Sequence, residues 1–233
     1  MTVISGTRCG WPEGILFDLD GTLIDSAPDI TAATNELIAK EGLAPLPLAA
    51  VRGMIGKGVT NLVARAYEAS GLPLSPEALG EAVARMMPVY ERHLTRLTVV
   101  LPGALEIVRA LSAARVRLAI VSNKPHAFTC EIARHYGFAE HLAAVRGADD
   151  GIAKKPAPDM LLVAAAQMGL KPGRCLMVGD SVSDVQAARA AGMAVIIVEG
   201  GYTSTSASAL GADAVASSLS ALPAAIEQIK EAG

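Results

Sequence analysis

Short apolar runs ending in polar clusters alternate with stretches of helical spacing along this chain. The first run, 14–17, leads into Asp18-Leu19-Asp20-Gly21-Thr22. A continuous apolar run that ends in acids and glycine predicts a buried parallel strand opening into a loop. Similar runs predict strands at 116–121, 142–145, 175–178 and 194–198, with a short edge strand at 213–216. The run 116–121 is expected to stop at Ser122-Asn123-Lys124-Pro125. Helical spacing fills the intervals 104–114, 126–136, 158–168, 182–191 and 219–230, with Gly137, Gly169 and Gly192 placed to end three of them. Strands alternating with helices predict an α/β fold with a Rossmann-like parallel sheet.

The interval 26–98 departs from this alternation. Ile30, Ala33, Leu37 and Ile38 share one helical face, Leu62, Val63, Ala66 and Tyr67 another, and prolines and glycines punctuate the rest. The pattern predicts a compact α-helical insert without strands. The expected organisation is a core formed by 1–25 and 99–233, with an inserted helical cap at 26–98.

Composition narrows the class. The chain of 233 residues is 52% hydrophobic but only 3% aromatic, so its core must be aliphatic. So few aromatics disfavour a base-stacking platform, and a net charge of −3 supplies no basic footprint, so no nucleic-acid partner is expected. No apolar run reaches the ~18 residues of a membrane span, and the first eleven residues lack the apolar stretch of a secretory signal. Cys9, Cys130 and Cys175 are scattered, with no CxxC spacing. They are expected as small buried hydrophobes in a reducing, cytoplasmic setting. The four histidines do not fall at zinc-ligand spacing.

The chemistry lies at the predicted strand ends. In open α/β sheets, ligands bind where the C-terminal ends of strands open into loops. Strand one delivers Asp18 and Asp20 there, strand two Ser122 and Asn123, and strand four Asp180 with Asp184 one turn on; Lys155 precedes a helix. Three converging carboxylates repel one another unless a cation joins them. Mg²⁺ suits a few carboxylate oxygens together with water and a substrate phosphate. A lysine, a hydroxyl, an amide and backbone N–H groups can hold phosphoryl oxygens. A carboxylate beside such a group is a nucleophile, and a second acid two residues on can protonate a leaving oxygen. Taken singly, each piece has a plainer reading as a loop acid, a helix cap or a surface lysine; together they point to Mg²⁺-dependent phosphoryl transfer.

Asp18-Leu19-Asp20-Gly21-Thr22-Leu23, Val121-Ser122-Asn123-Lys124, Lys155-Pro156 and Gly179-Asp180-Ser181-Val182-Ser183-Asp184 resemble, in order, the four motifs of the haloacid dehalogenase superfamily. The resemblance implies Asp18 as nucleophile and Asp20 as acid/base. It implies Ser122 and Lys155 as phosphoryl contacts, and Asp18, the Asp20 backbone carbonyl and Asp180 as Mg²⁺ ligands. Asp184 would stand behind them, holding metal waters or Lys155. Asn123 is either a substrate contact or a loop former, and Thr22 is a further candidate substrate contact. The 104-residue gap between Asp18 and Ser122 matches the superfamily's helical cap.

Gly56-Lys57-Gly58 in that insert is similar to the specificity loop of phosphoglycolate phosphatases, as are Leu23-Ile24-Asp25-Ser26 and Gly200-Gly201-Tyr202. The implied activity is hydrolysis of a small phosphate ester, foremost 2-phosphoglycolate, through an aspartyl phosphate. Lys57 and Arg52 are the cap candidates for the substrate carboxylate. The alternatives are a sugar phosphomutase similar to β-phosphoglucomutase, or a phosphatase for a sugar phosphate, an amino-sugar phosphate or pyrophosphate. A non-enzymatic receiver-type domain would also gather acids and a lysine, but needs neither the Asp-x-Asp pair nor the long gap. A monomer or homodimer is expected.

Overall fold

A computed structural model of the chain describes residues 10–148 and 151–232. Cys9 and most of the N-terminal segment lie outside them; Trp11 is half-buried against the core.

Six parallel strands form the main sheet: β1 (Gly14–Phe17), β4 (Arg117–Pro125), β5 (Ala144–Ala148), β6 (Cys175–Gly179), β7 (Ala194–Val198) and β8 (Ala214–Ala216). Their spatial order is β5-β4-β1-β6-β7-β8. Counted among these strands alone, the order is 3-2-1-4-5-6, that of the doubly wound dinucleotide-binding fold. The chain steps outward from β1 through β4 and β5, then returns to the other side of β1 as β6. The switch point of the sheet therefore lies between β1 and β6, the two strands that carry the acidic motifs.

Alternation along the strands builds two cores. Ile15, Phe17, Leu118, Ile120, Leu176 and Val178 point to one face, while Leu16, Ala119, Val121, Cys175 and Met177 point to the other. The first face is covered by α5 (Ala104–Ala113), α6 (His126–His135) and α9 (Leu222–Ala232), the second by α7 (Asp159–Gln167) and α8 (Val182–Ala191). This two-sided burial explains why the strands read as unbroken apolar runs.

The interval 26–98 holds α1 (Ala27–Ala39), α2 (Leu48–Arg52), α3 (Val59–Ala69) and α4 (Pro76–His93). Its ends differ from expectation. A two-stranded antiparallel ribbon, β2 (Ile24–Asp25) with β3 (Val99–Val100), ties both connections together. Two-residue strands leave no periodicity to read. The buried Asp29 fastens the same junction by accepting hydrogen bonds from the backbone N–H groups of Leu97 and Thr98 and from the Thr98 hydroxyl.

Three further boundaries move. β4 runs through Pro125 instead of stopping at Ser122, with a register shift against β5 between Val121 and Pro125. β5 starts two residues later than expected, and α9 follows a 3₁₀ turn at Leu219–Ala221. Cys175 is buried as expected, whereas Cys130 is only half-buried, with its sulfur 3.5 Å from His126 Nε2. No helix among the described residues is long and apolar enough to cross a membrane.

Candidate active site

β1 ends at Phe17, level with Ile120 of β4 and Val178 of β6. The next residue, Asp18, keeps its backbone on the sheet by donating to the Val178 carbonyl at 2.8 Å, so its side chain enters the site from a fixed point. Its Oδ1 pairs with Lys155 Nζ at 2.8 Å. The same ammonium lies 2.8 Å from Asp184 Oδ1 and donates to the Val121 carbonyl at 2.8 Å. An ammonium has three N–H groups, and all three are used.

Asp184 is fully buried at the start of α8. Its Oδ2 accepts from the Ser181 hydroxyl and from the Ser181 and Asp180 backbone N–H groups. This is a capping box, the helix-start chemistry that Ser-x-x-Asp encodes. Asp180 is clamped differently. Its Oδ2 accepts the Tyr202 backbone N–H at 2.6 Å. A Cβ at Gly201 would stand 2.2 Å from that oxygen and one at Gly21 2.6 Å, so these two glycines make room for the carboxylate.

Asp18, Asp180 and Asp184 each place a carboxylate oxygen within 4.8 Å of the others. Three acids then face the single ammonium of Lys155. Burial, to which Asp184 and Asp20 add and which Lys155 only partly offsets, pushes the Asp18 carboxyl up to about 7. Burial, then Asp184 and Asp18, raises Asp180 well above the usual carboxylate range. Burial alone would lower Lys155, but Asp18 and Asp184 outweigh it and hold the ammonium charged. This uncompensated negative charge is the environment a divalent cation fits. Asp184 has both oxygens engaged, while Asp18 Oδ2 and Asp180 Oδ1 accept no hydrogen bond among the described residues. Those two oxygens are the ones open to a cation.

Asp20 stands apart from this trio. Its Oδ1 lies 2.6 Å from Lys124 Nζ and accepts the Ser26 hydroxyl at 2.5 Å, leaving Oδ2 without a hydrogen-bond partner among the described residues. Lys124 is buried and lies 5.1 Å from the ring centroid of Tyr90, contributed by α4. The Asp20 carboxylate outweighs the burial that would lower it, so its ammonium stays charged. Neither Lys124 nor Tyr90 was singled out as a site residue above. The readable signal was strand alternation: had the strand been carried past Ser122, Lys124 would fall on the same side of it.

Ser122 is buried, lines a recess with Asp18, Asp20 and Lys124, and its hydroxyl accepts the Lys124 backbone N–H. Asn123 Nδ2 donates to the Gly56 carbonyl of the insert at 2.8 Å and to the Lys155 carbonyl at 2.9 Å, so it joins insert to core. Thr22 is fully buried, and its hydroxyl has no partner among the described residues. Lys57 lines an adjoining cleft of about 220 Å³ together with Asp20, Asp180, Ser181 and Arg65. Arg52 does not line that cleft; it pairs with Asp25 at 2.6 Å and lies over the Tyr202 ring.

A family model described as haloacid dehalogenase-like hydrolase matches residues 12–192. The chain is 38% identical over 208 residues to a phosphoglycolate phosphatase of Rhodospirillum rubrum, covering 88% of this chain and 86% of that one. It is 41% identical over 211 residues to a plasmid-borne phosphoglycolate phosphatase of Cupriavidus necator, covering 90% and 91%. Among solved structures it resembles a predicted phosphoglycolate phosphatase from Haemophilus somnus, with a TM-score of 0.84 and 27% identity over 90% of this chain and 96% of that one. The chain belongs to the haloacid dehalogenase-like hydrolases.

Proposed function

We propose that this hydrolase is a Mg²⁺-dependent phosphatase of small anionic phosphate monoesters, with 2-phosphoglycolate as the foremost substrate. The observation that carries the reading is the pair of facing carboxylates, Asp18 and Asp180, with Lys155 locked against Asp18 and Asp20 held separately by Lys124. Asp18 attacks phosphorus, and the bond from phosphorus to the leaving oxygen breaks. Asp20 delivers its proton to that oxygen, so the alcohol departs and the phosphoryl group stays on Asp18. Asp20 then takes a proton from water as the water attacks phosphorus, which frees phosphate and restores Asp18. The hydroxyl of Ser122 holds a phosphoryl oxygen, and the Lys155 ammonium, whose three N–H groups are already engaged, adds its positive charge beside the group. Asp18 and Asp180 would hold Mg²⁺, which neutralises charge on the phosphoryl oxygens when bound. The helices of 26–98 act as a cap that excludes bulk water.

The choice of substrate rests on the cleft beside Asp20. Lys57 and Arg65 put cationic side chains there, suited to a second negative group on a short leaving group. In a panel of phosphate esters with Mg²⁺, 2-phosphoglycolate is expected to show the highest kcat/KM. Lys57→Ala should lower it about tenfold or more while sparing an aryl phosphate. A sugar phosphate or pyrophosphate winning the panel would replace this substrate, and phosphoryl transfer between positions of a sugar would favour the mutase.

Metal binding should also be visible as pH-dependent stability. In the metal-free fold Asp18 holds its proton up to pH of about 7, against a usual value of 3.8. At this group the fold therefore binds more protons than the unfolded chain, and its contribution to metal-free stability falls as pH rises between those values. Mg²⁺ competes for the same carboxylate, so its stabilisation grows with pH. Saturating Mg²⁺ is expected to raise Tm by roughly 5–10 °C at pH 8 and by distinctly less at pH 6. Thermal melts with Mg²⁺ or EDTA check this, and an equal gain at both pH values would count against Asp18 as a ligand.

A further inference from the structure

We propose that Tyr202 is a positioning residue that ties the hinge of the cap to the carboxylate of Asp180; this rests on the reading of Asp180 as a metal ligand. The argument starts at the first cap helix. Ser26 occupies the N-cap position of α1, where a serine hydroxyl ordinarily accepts a backbone N–H of the first turn. Here that hydroxyl donates to Asp20 instead, and the helix has no side-chain cap of its own from Ser26. The first N–H groups of the helix are met instead from far along the chain, with Asp25 Oδ1 also accepting the Ala27 N–H at 3.2 Å. The phenol oxygen of Tyr202 accepts the backbone N–H groups of Ser26 at 2.7 Å and Ala27 at 3.0 Å, and it donates its proton to Asp25 Oδ1 at 2.8 Å.

The other end of the same residue holds the metal-side carboxylate, through its backbone N–H and Asp180 Oδ2 at 2.6 Å. Tyr202 thus spans from the hinge to Asp180. The cap reaches this tether through Arg52, at the end of α2. Its guanidinium pairs with Asp25 Oδ2 at 2.6 Å and lies 5.2 Å from the Tyr202 ring centroid. Ser26 contacts Asp20 on one side and Tyr202 on the other, so movement of the hinge is felt at both Asp20 and Asp180. An arginine at 52 serves this network and not the substrate.

Tyr202→Phe removes the phenol bonds and leaves the backbone bond to Asp180 in place. Arg52→Ala removes the cap's grip without touching the site. Four proteins are compared: the parent, both single variants and the double variant. In the metal-free proteins, the amides of Ser26 and Ala27 should exchange with deuterium about tenfold faster after Tyr202→Phe. By calorimetry, that variant should bind Mg²⁺ several-fold more weakly, and its kcat should fall about tenfold with KM little changed. Arg52→Ala should shift the same quantities in the same direction, and the double variant should be no worse than Tyr202→Phe alone.

A Tyr202→Phe protein with a lower Tm but the parent's Mg²⁺ affinity and kcat would overturn the proposal, since the phenol would then be structural only. Additive effects in the double variant would overturn it as well. So would a rise in KM alone for Arg52→Ala, which would make Arg52 a substrate contact. Asp180→Asn tests the underlying reading separately. If it binds Mg²⁺ as tightly as the parent, Asp180 is not a ligand, and the failure lies there whatever Tyr202→Phe shows.

Discussion

Asp18→Asn is expected to abolish phosphate release while leaving the metal-free fold at least as stable as the parent. The two effects share one cause. Asp18 is a buried carboxylate beside Asp180 and Asp184, and its proton is held up to about pH 7 because ionising it there is unfavourable. An amide of the same shape still offers an oxygen to Lys155 and keeps the backbone bond to Val178, but it removes one of three mutually repelling charges. At pH 8 and in EDTA, the variant should melt at the parent's temperature or a few degrees above it. Its turnover should fall by about four orders of magnitude or more, because a neutral amide cannot form the proposed aspartyl phosphate. Phosphate release and thermal melts on the same samples check both halves. Retention of more than about 1% of the parent activity would place the nucleophile elsewhere.

The same property explains why much of this site was legible in the sequence. A group placed at a strand end inherits its position from the sheet. Asp18, Ser122 and Asp180 follow three strands whose apolar runs are unmistakable, and the strand order brings two of those ends to the switch point. Asp184 was readable because Ser181-x-x-Asp184 is helix-start chemistry whatever else it does. What escaped notice depends on contacts between distant segments. Lys124 was obscured by the register shift that carries β4 past Ser122, where alternation becomes hard to follow. Tyr90 comes from α4, whose spacing marks it only as core. Arg52 and Lys57 are equivalent as charges in the sequence, yet one faces Asp25 and the other the cleft. That difference is set by how the insert docks, which local pattern does not encode. The β2–β3 ribbon is similarly a product of docking, because two residues per strand carry no period of their own.

Lys155→Met should be the most damaging single change to stability, and should cost much of the activity as well. The parent side chain is 2% exposed, and its three N–H groups are spent on Asp18, Asp184 and the Val121 carbonyl. Methionine fills a similar volume but leaves two buried carboxylates without their counter-charge. Breaking one partner out of a buried ionic cluster costs about 3–5 kcal/mol, which for a chain of this size corresponds to a fall in Tm of roughly 10 °C. Activity should drop by about a thousandfold or more, since the ammonium also meets the charge that grows on the phosphoryl oxygens. The stability defect should shrink as pH falls from 8 to 5, because protonation then neutralises the carboxylates that the lysine no longer balances. Adding Asp184→Asn removes one of those carboxylates. It should recover part of the lost Tm and none of the lost activity, which separates the structural role of Lys155 from its chemical one. A Lys155→Met protein that melts with the parent at both pH values would show that the acids at this switch point are balanced by something other than the lysine.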